Sequence, residues 1–340
     1  MSEINPEEVF DITIIGGGPT GQYAAYYAGL RGMKTLVIDS LDQLGGQLTA
    51  LYPEKYIFDV AGFPKVYAKD LVASLTEQMM QYNPTLALRH KVVNLVSTDS
   101  GITIDTEQAD TYRTKSVLIT AGVGAFAPRR VAAPGVEKFE DKGVYYFVKD
   151  KDSLRDKRLL IVGGGDSAFD WSLNLHGHAS TITQIHRSDR FKAHEDSIAK
   201  VQDLGIDFRT FYELKEIHGE DEVTGVTIFD NRTREEFHLE VDAVILNLGF
   251  LSNLGPIKEW DLELLGNSLK VNSRMETNIP GVYSAGDICT YDGKLKLIST
   301  GFGEAAIAVN HAKHYVDPAA KVNPGHSSEN VPDKTHYSLN

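Results

Sequence analysis

The feature that most constrains this chain is a strand, glycine loop, helix and strand pattern that occurs twice. The first copy, DITIIGGGPTGQYAAYYAGLRGMKTLVIDS, spans residues 11–40, and the second, RLLIVGGGDSAFDWSLNLHGHASTITQIHRS, spans residues 158–188. In each copy an apolar run typical of a buried strand leads into small residues that open a helical pattern. Such a unit holds the pyrophosphate of a dinucleotide at the helix N-terminus. The repeat therefore predicts an α/β chain with two Rossmann-like nucleotide-binding domains.

The first copy has a small residue at each of the three positions that the motif requires. We expect Gly16 to form the tight turn, Gly18 to let the backbone approach a pyrophosphate, and Gly21 to bring helix and strand together. Asp39 ends the second strand, where a carboxylate accepts hydrogen bonds from ribose hydroxyls and repels a 2'-phosphate. This copy is predicted to hold the adenosine half of FAD or NAD.

The second copy differs at the end of its second strand. The same step that leads from Gly16 to Asp39 leads here from Gly163 to His186, which Arg187 follows at once. Arg187, Arg190 and Lys192 lie in the segment IHRSDRFK, and cations at this place favour the 2'-phosphate of NADP. The residues predicted to bind NADP are Gly163, Gly165, Asp166, Ser167, Ala168, Arg187, Arg190 and Lys192.

Composition excludes several other classes of protein. The chain has a net charge of -13, which argues against broad nucleic-acid binding, and its apolar runs are too short to cross a membrane. Its single cysteine, Cys289, excludes internal disulfides and multi-cysteine metal sites, and we expect no metal. With an acidic N-terminal segment unlike a signal peptide, the chain is predicted to be cytoplasmic.

The order of the motifs predicts one domain inserted into another. The second glycine loop lies between TAGVG, which begins at residue 120, and the apolar strand VDAVILNLGF at 241–250. We therefore predict an NADP-binding domain at 125–250, a split FAD-binding domain at 1–124 and 251–316, and a C-terminal tail at 317–340. Segments 91–97 and 101–106 alternate in polarity and predict an antiparallel pair added to a parallel sheet.

Two nucleotide folds in this order, with GGQL at 45–48 and HRSDRFKA at 186–193, resemble the low-molecular-weight thioredoxin reductases along nearly the whole chain. Those enzymes carry a CxxC upstream of the second glycine motif. Here that position reads Tyr146-Phe147-Val148-Lys149, so electrons cannot leave the flavin by dithiol exchange.

The chain more closely resembles the thioredoxin-reductase-like ferredoxin–NADP reductases. The matching segments include LYPEKYIFDVAGFPKV at 51–66, GDICTYDGKLKLISTGFGEAA at 286–306 and PGHSSE at 324–329. The family motif often has arginine where Ser188 and Lys192 stand, and Arg190 is additional. These departures predict weaker binding of the 2'-phosphate, with a preference for NADP over NAD that remains.

The resemblance implies a flavin ring between two side chains. Tyr52 is expected against one face, and His326 against the other, from the tail of a partner subunit in a homodimer. Composition alone favours a frayed tail, because residues 317–340 are polar and contain three prolines. The further residues implied to contact FAD are Thr20, Gln47, Val92, Phe126, Asp287 and Ser328.

The implied activity is electron transfer between NADPH and ferredoxin, or flavodoxin, through FAD, in either direction. Two alternatives remain open. One is an NADPH-dependent reductase of quinones, flavodoxin or iron chelates, and the other is a non-catalytic sensor that binds FAD and NADP. An acidic ferredoxin would need a local basic surface, and the candidate stretch is 142–158.

Overall fold

The computed structural model describes residues 7–98, 101–122, 124–148 and 150–325. The chain forms two compact units, each assembled from separate segments. Of the described residues, the first unit comprises those within 7–46, 74–122 and 254–325, and the second comprises those within 47–73 and 124–253. Residues 47–73, which the motif order predicts to be part of the FAD-binding domain, are thus grouped with the second unit. Which nucleotide each unit binds stays a prediction.

The helices begin where glycine loops or extended segments end. Pro19, with its restricted φ, occupies the first turn of α1 directly after the extended Gly18. Asp166 occupies the first turn of α4, where a negative charge interacts favourably with the helix dipole. The helices are α1 Pro19–Leu30, α2 Gln47–Leu51, α3 Ala68–Met80, α4 Asp166–Leu175, α5 Glu195–Asp203 and α6 Ile298–Val316, and two 3-10 turns span Asp152–Leu154 and Gly255–Glu259.

Most strands are short and are rich in Val, Ile, Leu and Thr. In chain order they are β1 Val9–Phe10, β2 Ile12–Ile15, β3 Thr35–Asp39, β4 Tyr56–Ile57, β5 Val66–Tyr67, β6 Thr85–Leu88, β7 Val92–Thr98, β8 Gly101–Thr106, β9 Thr111–Thr114, β10 Val117–Ile119, β11 Ala125–Pro128, β12 Val144–Tyr145, β13 Arg158–Val162, β14 Thr181–His186, β15 Asp207–Thr210, β16 Tyr212–Gly219, β17 Val223–Asp230, β18 Glu236–Leu239, β19 Ala243–Leu246, β20 Phe250–Asn253, β21 Leu264–Leu265, β22 Ser268–Lys270, β23 Val282–Ser284 and β24 Cys289–Thr290.

The first unit is built on a five-stranded sheet in the order β23-β10-β2-β3-β6, with every pair parallel. Strands β2, β3, β10 and β23 are buried along their whole length, as expected for a parallel sheet covered on both faces. One face packs on α1 and α6 through small and aliphatic side chains such as Ala25 and Val309. This arrangement places the C-terminal ends of β2, β3 and β23 at one edge.

The second unit repeats this plan with the order β12-β19-β13-β14-β15, again all parallel. Helix α4 packs on it through Trp171 and Leu175, within a core that includes Leu159, Ile161 and Ile245. The antiparallel strands β16, β17 and β18 complete the unit. The predicted fold class, two Rossmann-like units with one inserted into the other, is confirmed.

One prediction about the smaller sheets needs correction. Strands β7 and β8 pair antiparallel as expected, but they belong to a separate four-stranded sheet, β1-β9-β8-β7. They do not extend the parallel sheet, because its edge strands are β23 and β6. In the alternating burial of β8, the inward residues Ile102 and Ile104 pack into the same core as Trp260.

Among the helices of the described ranges, none has the length and apolar character needed to span a membrane. Within the same ranges, no group of three or more His, Cys, Asp or Glu side chains is arranged to hold a metal ion.

Candidate functional site

The first glycine loop has the geometry that a pyrophosphate requires. Gly16 has a φ of +111°, and a Cβ added there would lie 2.6 Å from Thr120 O. A Cβ on Gly21 would overlap Gly16 O, so only glycine lets α1 approach the loop this closely. A Cβ on Gly18 would meet no atom within 4 Å. The loop is therefore tightly packed on the protein side and open at Gly18, beside the N-terminus of α1.

Asp39 lies at the end of β3 and is held by main-chain groups. Its Oδ2 accepts a hydrogen bond from Gly17 N–H at 2.6 Å, and its Oδ1 accepts one from Leu41 N–H at 2.8 Å. Burial raises the pKa of Asp39, and these two hydrogen bonds act in the opposite direction. Each carboxylate oxygen accepts more than one hydrogen bond, so the fixed side chain can still accept from a ligand hydroxyl.

A second part of the first unit meets this loop at Thr20. A Cβ on Gly286 would lie 3.0 Å from Thr20 Oγ1, and a Cβ on Gly301 would overlap the same atom. Gly286 has a φ of +82° and directly precedes Asp287, whose pKa is raised by burial. The N-terminus of α1, the turn at Gly286 and the first turn of α6 therefore lie together around Thr20. This convergence brings predicted residues Gly18, Thr20 and Asp287 into one region.

Beneath the turn lies a buried ion pair that the sequence alone did not predict. Glu304 of α6 pairs with Lys294, and the side chains are only 3% and 4% exposed. Glu304 Oε2 accepts from Gly286 N–H at 2.8 Å and from the Cys289 thiol at 3.7 Å, and Oε1 accepts from Tyr291 O–H at 2.6 Å. The sequence contained one indication of this pair, because Glu304 is the only acidic residue within the small and apolar run GFGEAAIA.

The second glycine loop repeats the packing of the first. A Cβ on Gly163 would overlap Asn247 O, and one on Gly164 would lie 2.5 Å from the ring of His186. Gly165 has no atom near its missing Cβ, while Ala168 is fully buried against the sheet. The loop is thus closed toward the protein and open at Gly165, where α4 begins with Asp166 and Ser167.

The basic segment after β14 folds back over this loop. Lys192 N–H donates to Gly164 O at 2.9 Å, and His194 N–H donates to Asp166 Oδ1 at 3.0 Å. Asn231 Nδ2 donates to Arg187 O at 2.8 Å. The first two hydrogen bonds place Lys192 and Asp166 together at the second glycine loop, whereas the third holds the main chain of Arg187 against Asn231, which follows β17.

The charges at the two loops are opposite. Arg187, Arg190 and Lys192 are exposed, and none forms an ion pair with another described residue. Burial lowers the pKa of His186, the residue that stands where the first copy has Asp39, and its Nε2 lies 3.1 Å from Arg190 O. At neutral pH this position is therefore neutral, and the three cations that follow it have no ion-pair partner in the described part of the chain.

The remaining predicted residues are divided between the units. Tyr52, which follows α2, packs on the core of the second unit, and Lys55 Nζ lies 5.4 Å from the centre of its ring. Lys55 is held by an ion pair with Asp170 at 2.6 Å. Gln47 begins α2 and is half-buried. Phe126 lies in β11, in the same unit.

Val92 belongs to the first unit, where it begins β7 and is buried in the core. His326 and Ser328 lie outside the described residues. The structure therefore groups Gly16, Gly18, Thr20, Gly21, Asp39 and Asp287 in one region of the first unit, and Gly163, Gly165, Asp166, Ser167, Ala168, Arg187, Arg190 and Lys192 in one region of the second.

These features define a protein with two glycine loops, one followed by a carboxylate and the other by cations. The family profile of the pyridine nucleotide-disulphide oxidoreductases matches residues 10–312. The chain belongs to this family.

Individual relatives show which members of this family the chain resembles. The chain is 53% identical over 324 residues to a protein of Halalkalibacterium halodurans named ferredoxin–NADP reductase, covering 95% of this chain and 98% of that one. It is 52% identical over 323 residues to a ferredoxin–NADP reductase of Thermus thermophilus, covering 94% and 96%. The resemblance predicted from the sequence is confirmed by these relatives.

Solved structures agree with the fold. The thioredoxin reductase of T. acidophilum superposes with a TM-score of 0.79 at 26% identity, covering 92% of this chain and 99% of that chain. The thioredoxin reductase of Lactococcus lactis, in its FR conformation, gives a TM-score of 0.78 at 25% identity, covering 90% and 99%.

Proposed function

We propose that this chain is a ferredoxin–NADP reductase, which binds FAD in its first unit and NADP(H) in its second and carries electrons between NADPH and ferredoxin. One observation carries the proposal: a fixed carboxylate follows the first glycine loop, whereas the second is followed by three cations that have no ion-pair partner among the described residues. The names of relatives that match over nearly the full length support the same activity.

The residues of the first unit fit FAD. The N-terminal N–H groups of α1 face the opening at Gly18, where a pyrophosphate would interact with the helix dipole. Asp39 would accept hydrogen bonds from the ribose hydroxyls of the adenosine half. Asp287, carried on the turn against Thr20, would accept hydrogen bonds from the flavin half. Val92 is proposed to line the same site.

The residues of the second unit fit NADP. Gly165 leaves room for the pyrophosphate at the start of α4, with Ser167 in the first helical turn. Arg187 would grip the 2'-phosphate through the two parallel hydrogen bonds that a guanidinium can form. Arg190 and Lys192 would add positive charge nearby. His186 stands where the first copy has Asp39, so the carboxylate that would repel a 2'-phosphate is replaced at this position.

When bound, the flavin supplies the chemistry of taking up a hydride and releasing electrons singly. Tyr52 is proposed to lie against one face of the ring, and its packing on the core and its contact with Lys55 fix its orientation. His326, from the tail of a second copy, is proposed to cover the other face, and Gln47, Phe126 and Ser328 to contact FAD. Because Cys289 is buried and stands alone, no dithiol relays electrons.

We also propose that the protein is a cytoplasmic homodimer. The single cysteine suits a reducing compartment. The dimer follows from the proposed role of the PGHSSE segment, which needs a second chain to bring His326 to the flavin. Flavodoxin is proposed as a further acceptor.

The proposal is tested by mixing the oxidised, FAD-loaded protein with NADPH under anaerobic conditions in a stopped-flow instrument. We expect rapid bleaching of the flavin absorbance, followed by reduction of ferredoxin in a second mix. NADH at the same concentration is the control and should bleach the flavin much more slowly.

Each alternative gives a different result. A protein that binds both nucleotides but does not bleach would be a sensor, and the proposal would be wrong. Fast bleaching with electron transfer to quinones or iron chelates, but not to ferredoxin or flavodoxin, would assign the other reductase activity.

A further inference from the structure

The buried pair of Glu304 and Lys294 needs an explanation beyond stability. Removing two charges from water is unfavourable, and replacing a buried ion pair by apolar side chains is often neutral or stabilising. Here, however, the carboxylate also accepts from Tyr291, from Cys289 and from the main-chain N–H of Gly286. The last of these hydrogen bonds connects α6 directly to the turn that carries Asp287.

The turn depends on such an anchor. Gly286 has a φ of +82°, and glycine is the residue that loses most conformational freedom when its backbone is fixed. Thr20 limits the turn on one side, because its Oγ1 lies 3.0 Å from the position of a Cβ on Gly286. Glu304 holds the N–H of the same residue. The hydrogen bond from Glu304 therefore fixes the backbone directly before Asp287, and Thr20 leaves no room for a side chain at the same residue.

The two members of the pair also contribute to the electrostatic environment of the Asp287 carboxylate. Burial raises the pKa of Asp287, the charges of Lys294 and Lys296 lower it, and the charge of Glu304 raises it further. Because Glu304 already neutralises Lys294, this cation does not need the carboxylate of Asp287 as its partner. Asp287 therefore remains available to accept hydrogen bonds from a ligand.

We propose that Glu304 is a positioning residue for FAD: it fixes the Gly286–Asp287 turn through the Gly286 N–H and occupies Lys294, so that Asp287 is free to bind the flavin half. This inference rests on the proposed function, since it assumes that Asp287 contacts FAD. Glu304 itself need not touch the cofactor.

The test measures binding of FAD to the apoprotein by fluorescence quenching, without any turnover. Glu304→Ala removes the acceptor and leaves Lys294 unpaired, and we expect FAD to bind at least tenfold more weakly. In Glu304→Ala combined with Lys294→Met, the competing cation is also gone, and we expect part of the affinity to return. Val309→Ala is the matched control, because it truncates a fully buried side chain of the same helix away from the turn.

A role in folding alone would weaken FAD binding equally in Glu304→Ala and in a Val309→Ala protein of similar melting temperature, and this result would overturn the inference. If Glu304→Ala does not fold, Glu304→Asp replaces it. This variant keeps the charge but draws the carboxylate back by about 1.5 Å, one C–C bond. We expect it to bind FAD at least threefold more weakly, with an altered visible circular dichroism of the flavin. Binding and spectra identical to wild type would contradict the inference.

The proposed function fails in a different way. Wild-type apoprotein that does not bind FAD would contradict the proposed function itself, and the inference with it. A wild-type protein that binds FAD, together with Glu304 variants that bind it equally well, would contradict only the role of Glu304.

Discussion

Arg187 is the residue on which the preference between the two nicotinamide cofactors should depend. Its main chain is held by Asn231, while its guanidinium is exposed and forms no ion pair within the described ranges. We predict that Arg187→Ala loses a charge-assisted contact worth about 1.5–3 kcal/mol, so that the preference for NADPH over NADH falls roughly ten- to hundredfold. The measurement is kcat/KM with each cofactor.

The control for this prediction is Arg155→Ala. Arg155 is also an exposed arginine of the second unit, but its Nη2 pairs with Asp152 at 2.6 Å. We expect its removal to leave both cofactors unaffected. If Arg187→Ala weakened NADPH and NADH equally, the cation would have a structural role and the assignment of the 2'-phosphate site would be wrong.

Cys289 should be chemically inert in the folded protein. Burial raises the pKa of its thiol to about 12, and it is fully enclosed under the Gly286 turn. Because the thiolate is the reactive form, we predict that iodoacetamide does not modify the native protein at about pH 8, whereas the unfolded chain reacts. Mass spectrometry of the intact protein distinguishes the two. Rapid labelling of the native protein would show that the turn opens.

The same pKa shift predicts the direction in which the free energy of unfolding changes with pH. A thiol whose pKa is higher in the folded than in the unfolded chain contributes its full stability below the unfolded pKa and loses it as pH rises through the folded value. For Cys289 that window runs from 9.0 to about 12. In this window the free energy of unfolding should fall less steeply with pH in Cys289→Ala than in wild type, and equal slopes would contradict the shift.

Among the elements, the segment that follows α6 is attached to the end of α1 just before the C-terminal tail begins. Arg31, at the end of α1, donates from Nη2 to Lys321 O at 2.8 Å and from Nη1 to Val322 O at 3.4 Å. A deletion of residues 324–340 therefore leaves these contacts intact. We predict that it retains FAD but changes the rate of flavin reduction by NADPH and the reaction with oxygen, because the proposed lid over one flavin face is removed.

The full-length His326→Ala variant is the matched comparison for this deletion. It keeps the whole tail but removes the proposed capping ring, and it should reproduce most of the kinetic change. If neither variant differed from wild type in stopped-flow traces, the tail would be the frayed end that its composition favours.

The elements also show what a sequence can and cannot predict here. The glycine loops and the strands around them were predictable, because the demands of a tight turn and of close packing act over a few neighbouring residues. The hydrogen bonds from Gly286 N–H to Glu304 and from His194 N–H to Asp166 join positions 18 and 28 residues apart. Such contacts depend on how whole elements pack. For the same reason, no local pattern indicated that residues 47–73 group with the second unit.

For the whole molecule, the charge of -13 opposes the approach of an acidic ferredoxin. The proposed docking stretch, 142–158, offers less free positive charge than its composition suggests. Arg155 pairs with Asp152, and Arg158 pairs with Glu240 and Asp242. Lys142 is exposed and forms no ion pair within the described part of the chain. The attraction available to ferredoxin is therefore local.

We predict that Lys142→Glu raises the KM for ferredoxin severalfold while leaving flavin reduction by NADPH unchanged. Wild-type rates with ferredoxin should fall as salt is added, since screening over about 8–10 Å weakens the attraction. Lys270→Glu is the control, because Lys270 belongs to the first unit and is paired with Glu263. Rates that rise steadily with salt would show that net repulsion dominates and that ferredoxin docks elsewhere.

The basic segment over the second glycine loop has a consequence for how such a protein can evolve. The hydrogen bonds that attach it at Arg187, Lys192 and His194 all use main-chain atoms of the segment itself. The side chains that carry the charges are therefore separate from the contacts that hold the segment in place. Substitution can change the preferred cofactor one side chain at a time while the backbone keeps its course, so that selection acts on the electron donor without first having to rebuild the fold.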